Sequence, residues 1–189
     1  MRLTESWRGT SSGRLLPFST DTSLPNRQWI STWGREAIKK LVQRGTLVRE
    51  AFGVYRFPKY SVSEADPYML AVLWTRVPEA ALSHETALAV YDLSDVNPNQ
   101  IHVTVSSQRQ LRRKNDEHYA VHYEDLDAAQ IGWWQEIPTV TAATAIEQCL
   151  VYGTPTYLLR QAIDQGSTSG RLTTAEQERL TRALEHRRG

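Results

Sequence analysis

The sequence is short of the residues that staple, anchor or load a chain. A single cysteine, Cys149, among 189 residues excludes an internal disulfide framework and a cysteine-rich zinc site. No run approaches 18 apolar residues, so no transmembrane helix is expected. Residues 1–18 carry arginines but no continuous apolar stretch, which speaks against a secretory signal. No glycine-rich phosphate loop or paired-carboxylate signature is written in it. Charge of one sign is also lacking: 22 Lys and Arg stand against 21 Asp and Glu, a net charge of +1. What is present is 40% hydrophobic and 23% charged residues, the composition of a globular chain. The length suits one large domain or two small ones, and the expected compartment is the cytoplasm.

The near-zero charge hides an uneven distribution. Residues 1–60 carry +7, residues 61–130 carry −6, and residues 131–189 are neutral. Such asymmetry suggests that one part meets a polyanion and the other does not. Two domains are therefore expected, residues 1–60 and residues 61–189.

Residues 1–24 read as irregular, with a short helix possible around residues 14–18. Residues 26–30 suit a short helix bearing Trp29 and Ile30. Ser31 or Thr32 is placed to cap a second helix reaching residue 44. Its apolar face is Ala37, Ile38, Leu41 and Val42, and Arg35, Lys39, Lys40, Gln43 and Arg44 fall outside that face. Gly45 is placed to end it in a left-handed conformation. Strands follow over residues 46–49 and 54–57, joined by a turn at residues 50–53. Helix, turn, basic helix and hairpin is the order of a winged helix-turn-helix, with the second helix in the major groove. The alternative is an amphipathic helix with a solvated basic face, followed by a structural hairpin.

The rest reads as α+β, helices packed on a small antiparallel sheet. Helices are expected over residues 66–77, 83–91, 141–150, 156–165 and 173–186. Ser83, Thr141 or Thr144, and a Thr173–Glu176 capping box supply their N-termini. Residues 100–106 alternate strictly, with Ile101, Val103 and Val105 on one face and His102 and Thr104 on the other. Residues 119–123 and 137–140 are further strands.

Chemistry is sparse. Ser83-His84-Glu85 suggests a triad, but adjacent residues at a helix start point apart, so Ser83 is read as an N-cap. His102 and His122 are able to face each other across paired strands, with Glu124 as a possible third group; a solvent-facing pair is the preferred reading. Cys149 sits among Ala145, Ile146 and Leu150 and reads as inert core. The basic loop of residues 109–114 reads as a solvated turn or a secondary phosphate contact, and its place in the acidic part favours the turn. Trp133-Trp134 precedes a strand; an exposed pair would suggest a protein partner. No catalytic residue, metal site or cofactor is assigned.

Several stretches taken together resemble the AbiEi family of antitoxins. They are Gln43-Arg44-Gly45-Thr46-Leu47-Val48-Arg49 with Gly53-Val54-Tyr55-Arg56, and Ala81-Leu82-Ser83-His84-Glu85-Thr86-Ala87-Leu88. Leu93-Ser94-Asp95, Ile101-His102-Val103-Thr104-Val105 and Ile137-Pro138-Thr139-Val140-Thr141 complete the set. The resemblance runs over residues 25–165. It implies an N-terminal winged helix-turn-helix and a C-terminal antitoxin domain in a bacterial or phage type IV toxin–antitoxin system. The cognate toxin would be nucleotidyltransferase-like. The first domain would repress the shared operon at promoter inverted repeats, with protomers in pairs on the DNA. By analogy Arg27, Arg35, Lys39, Lys40, Arg44, Arg49 and Arg56 would bind DNA, and no enzymatic activity is implied. A toxin-binding module without DNA binding is the alternative.

Overall fold

The computed structural model describes residues 15–17, 35–51, 54–58, 63–109, 111 and 117–187. The chain divides into two compact units, Met1–Leu70 and Ala71–Gly189. The architecture is α+β in both, with a separate sheet in each.

In the first unit, α1 (Arg35–Gln43) precedes a hairpin of β2 (Val48–Ala51) and β3 (Val54–Arg56). Among the described residues Ile38, Leu47 and Val54 are its buried apolar side chains, while Ala37 of the expected apolar face is exposed. Gly45 closes the helix at φ +69°, its N–H bonding Val42 and that of Thr46 bonding Leu41. That reverse turn needs a left-handed residue, which glycine adopts without a Cβ clash.

β2 lies later than the pattern predicts and takes in Glu50 and Ala51. The cause is a register shift between Arg49 and Ala51, which lets two residues oppose one. β1 (Leu15–Pro17) is a strand where a short helix was expected. It pairs antiparallel with β3 and gives the sheet order β1-β3-β2. Pro17 has no N–H to donate, and an edge strand is where a sheet tolerates that. The expected helix at residues 26–30 and the caps Ser31 and Thr32 lie outside the described residues. So do Arg27 and the turn residues Phe52 and Gly53.

Helix α2 (Asp66–Thr75) follows and contains the division between the units. Ser63 donates to Asp66 at its N-terminus, and Pro67 occupies the first turn, where its missing N–H costs nothing.

The second unit is built on a five-stranded sheet, ordered β6-β5-β4-β8-β7. Its strands are β4 (Ala81–Leu82), β5 (Ile101–Val105), β6 (Tyr119–Tyr123), β7 (Ile131–Trp134) and β8 (Ile137–Val140). The sheet is mixed, which corrects the antiparallel expectation. β4 runs parallel to β8, and β5 runs parallel to β6 in a continuous five-residue register. The reason lies in the connection. Residues 106–118 are long enough to bring the chain back to the starting edge, whereas a short turn would have reversed it.

β7 was not anticipated. It joins β8 through Gln135 and Glu136 at φ +45° and +65°, the two left-handed residues of a tight hairpin turn. Asn-Gly or Asp-Gly announces such a turn in a sequence; Gln-Glu does not.

Helices α3 (His84–Val90), α4 (Ala142–Tyr152), α5 (Thr156–Thr168) and α6 (Thr174–His186) complete the unit. Thr141 accepts from Thr144 N–H, and Thr173 with Glu176 forms the expected capping box. Leu88, Leu93, Val140, Ile146, Leu159 and Leu180 are the fully buried centre of one apolar cluster. Among the described residues no helix is long and apolar enough to cross a membrane.

Gly166 on α5 is a point of close approach. A Cβ there would stand 2.8 Å from the buried Leu172 side chain. Alanine improves helix propensity by about 1 kcal/mol, but overpacking a core contact costs about 1–3 kcal/mol. Gly166→Ala is therefore expected to lower stability in urea unfolding; a more stable variant would show that Leu172 yields freely.

Candidate functional site

Three histidines from three elements meet within the second unit. His84 opens α3, His102 lies on β5 and His122 on β6. One ring nitrogen of each lies within 4.8 Å of the other two. His102 Nδ1 stands 2.9 Å from His122 Nε2, a hydrogen bond in which one ring donates and the other accepts. The His84 ring stacks on His122 at 3.6 Å between centroids. Tyr152, the last residue of α4, meets all three rings edge-on at 5.2–5.6 Å.

The local chain explains the convergence. Strand β4 is two residues long, so the chain leaves the sheet at its centre and turns at once into α3. His84 makes that turn at φ +50°, a left-handed conformation that a side-chain-bearing residue seldom adopts. Its N–H is held by Gln148 Oε1 at 3.2 Å, and its Nδ1 lies 3.0 Å from Ser83 Oγ. His102 is pinned in turn, its N–H donating to Thr86 Oγ1 at 2.8 Å. Gln148 also donates to Glu124 Oε2 at 2.6 Å.

The rings are held neutral. Burial, reinforced by the neighbouring His122 and His102, takes His84 down to about 3. Burial lowers His102 to about 4, and burial together with His102 lowers His122 to about 4. Neutral imidazoles offer a lone pair at ordinary pH, the state in which histidine binds metal.

The sequence pattern places His102 and His122 together, and they do meet. Their expected solvent-facing position is corrected: His102 is 3% exposed and His122 half-buried, because His84 and Tyr152 pack against their rings. Strict alternation on β5 marks two faces without saying that both are buried. His84 was missed because its approach depends on the left-handed turn.

Ser83 occupies the N-cap position, but its side chain makes no cap bond and lies on His84 instead. Glu85 goes elsewhere, accepting from Thr154 Oγ1 at 2.8 Å, so the three adjacent residues form no relay. Glu124 lies on Gln148 and outside the three-histidine group. Cys149 is fully buried, and burial pushes its thiol up to about 12, which leaves it protonated and unreactive.

The basic residues of the first unit are spread over α1 and the hairpin. Lys39, Lys40, Arg44 and Arg49 are exposed. Arg35 is the first residue of α1. Arg56 is turned onto Glu50 at 2.8 Å within the hairpin. In the second unit Arg109 pairs with Glu79 at 2.6 Å. Trp133 is 66% exposed, whereas Trp134 packs against the apolar cluster.

No protein-family model matches the chain, and no curated protein matches it. Among solved structures it is similar to the crystal structure of the RV2827C protein from Mycobacterium tuberculosis. The TM-score is 0.54 at 17% identity, with 80% of this chain and 62% of that chain covered. The likeness is one of fold. The chain thus spans less than two thirds of that protein's length.

The lowered histidine values give stability a definite pH dependence. The unfolded chain takes up protons on these rings near pH 6.5, the folded chain only near 4 and below. Between those limits the unfolded state binds more protons, so stability is full above about pH 6.5 and falls as pH drops toward 4. Thermal unfolding with a chelator present should show this fall, and His122→Gln should make it shallower. Equal pH dependence in the variant and the parent would count against a neutral cluster.

Proposed function

We propose that the chain is an AbiEi-type antitoxin and autorepressor, with the first unit acting as a winged helix-turn-helix on promoter DNA. The observation that carries this reading is the arrangement around α1. A basic helix leads directly into a hairpin, and a strand from earlier in the chain closes on the hairpin's second strand to give the order β1-β3-β2. That order suits a wing braced beside a recognition helix. Exposed Lys39, Lys40 and Arg44 supply positive charge along the helix, and Arg49 extends it to the hairpin. Arg27 and Arg35 belong to the same basic segment. Arg56, engaged by Glu50, fits a role in holding the wing together. Each lysine that meets a phosphate releases counterions and steepens the salt dependence of binding.

The second unit takes the antitoxin role in this reading. Its supporting feature is exposed apolar surface: Val151 and Tyr157, at the junction of α4 and α5, are 91% and 70% exposed, and Trp133 is likewise open. Aromatic and aliphatic side chains held out of a core suit a protein partner. The partner is a nucleotidyltransferase-like toxin, and the operator is an inverted repeat occupied by paired protomers.

Two measurements test the two halves separately. Binding to the DNA upstream of the gene should weaken steeply with salt, and Lys39→Ala with Lys40→Ala should reduce the log–log salt slope by about 2. An unchanged slope would remove α1 from the groove. For the other half, co-expression with the neighbouring toxin should restore growth, and Val151→Asp with Tyr157→Asp should abolish that rescue while leaving promoter binding intact. Full rescue by the double variant would exclude this surface from neutralisation.

A further inference from the structure

We propose that His84, His102 and His122 form a binding site for a divalent first-row transition cation, with Zn2+ the first choice. The donor set selects this chemistry. Three imidazole nitrogens suit zinc, cobalt, nickel and copper, whereas magnesium and calcium require oxygen ligands. The three nitrogens lie within 4.8 Å of one another. Two nitrogens each about 2.1 Å from one cation stand about 3.0–3.4 Å apart. His102 Nδ1 and His122 Nε2 are separated by 2.9 Å. The three rings are nearly parallel, with His84 flat on His122, so binding turns them about their side-chain bonds until the lone pairs converge, and the proton shared by His102 and His122 moves to the outer nitrogen of its own ring. The histidines then enter as neutral ligands.

The surroundings are those of a built site rather than a chance cluster. Ser83 Oγ lies 3.0 Å from His84 Nδ1, and the tautomer in which Nδ1–H donates to it leaves Nε2 to the cation. The backbone of His84 is anchored by Gln148 and that of His102 by Thr86, so two of the three ligands are fixed at the main chain. His84 also bears the cost of a left-handed backbone, and that conformation is what delivers its ring to the other two. Three ligands leave a fourth tetrahedral position, the arrangement of a site that accepts water or a further group. Tyr152, half exposed and edge-on to every ring, stands at the margin of the cluster. The site is independent of DNA binding, and its test returns the same answer whether or not the chain recognises a promoter.

Co2+ titration of the metal-free, untagged full-length chain reads the site directly. One equivalent should bind with the visible d–d bands of a tetrahedral nitrogen site, and Zn2+ should displace it and raise the melting temperature. His102→Ala and His122→Gln should each weaken Co2+ binding at least about 100-fold, and Ser83→Ala about 10–100-fold. His118→Ala, outside the cluster, should leave it unchanged. Where a variant fails to fold by circular dichroism, the imidazole 15N resonances of the wild-type chain decide, read with and without Zn2+. Coordination shifts confined to three histidines support the site. Absence of a one-equivalent band, or unchanged affinity in the folded His102→Ala and His122→Gln chains, overturns it.

Discussion

The second unit depends on a strand only two residues long. Ala81 and Leu82 are fully buried at the centre of the sheet, hydrogen-bonded to β5 on one side and β8 on the other. β5 carries β6 outward and β8 carries β7, so the sheet is held together through this pair. Because β4 stops at Leu82, α3 begins over the middle of the sheet rather than beyond its edge. That brevity puts the His84 ring against β5 and β6 and makes the histidine cluster possible. A longer β4 would carry the turn past the sheet and separate His84 from the other two.

Polar groups have been taken into the interior around that turn, and Thr86, Gln148 and Thr154 are paired there. Thr86 receives the His102 N–H, Gln148 bridges His84 and Glu124, and Thr154 donates to Glu85. Burying such groups unpaired would cost a few kcal/mol each, so the network has to form as a whole. Apolar packing lies beside it, where α4, α5 and α6 close on Leu88, Ile146 and Leu180. The histidine-bearing region is therefore held on one side by hydrogen bonds and bordered on the other by a dense core.

Much of the secondary structure was legible because its signals are local. The Thr173–Glu176 box, the Thr141 cap, Gly45 and the alternation of β5 and β6 each act within a few residues. Strand direction was not legible, since parallel pairing of β5 and β6 is decided by how a long loop travels. β7 was hidden because Gln135 and Glu136 are unusual left-handed residues, and β1 because a three-residue strand ending in proline has no periodicity to read. The candidate site was half visible. Alternation put His102 and His122 on facing strands, but no spacing rule anticipates a histidine that reaches them through a reversed backbone.

The parallel pairing of β4 with β8 has a consequence for the order in which the site matures. His84, His102 and His122 all precede β7 in the chain, but Gln148 and Tyr152 belong to α4, and β8 completes the sheet only just before it. During synthesis the three rings emerge ahead of Gln148, which holds the His84 N–H, and of Tyr152, which flanks all three. The cluster is thus completed by segments distant in sequence, and such non-local contacts form late in folding.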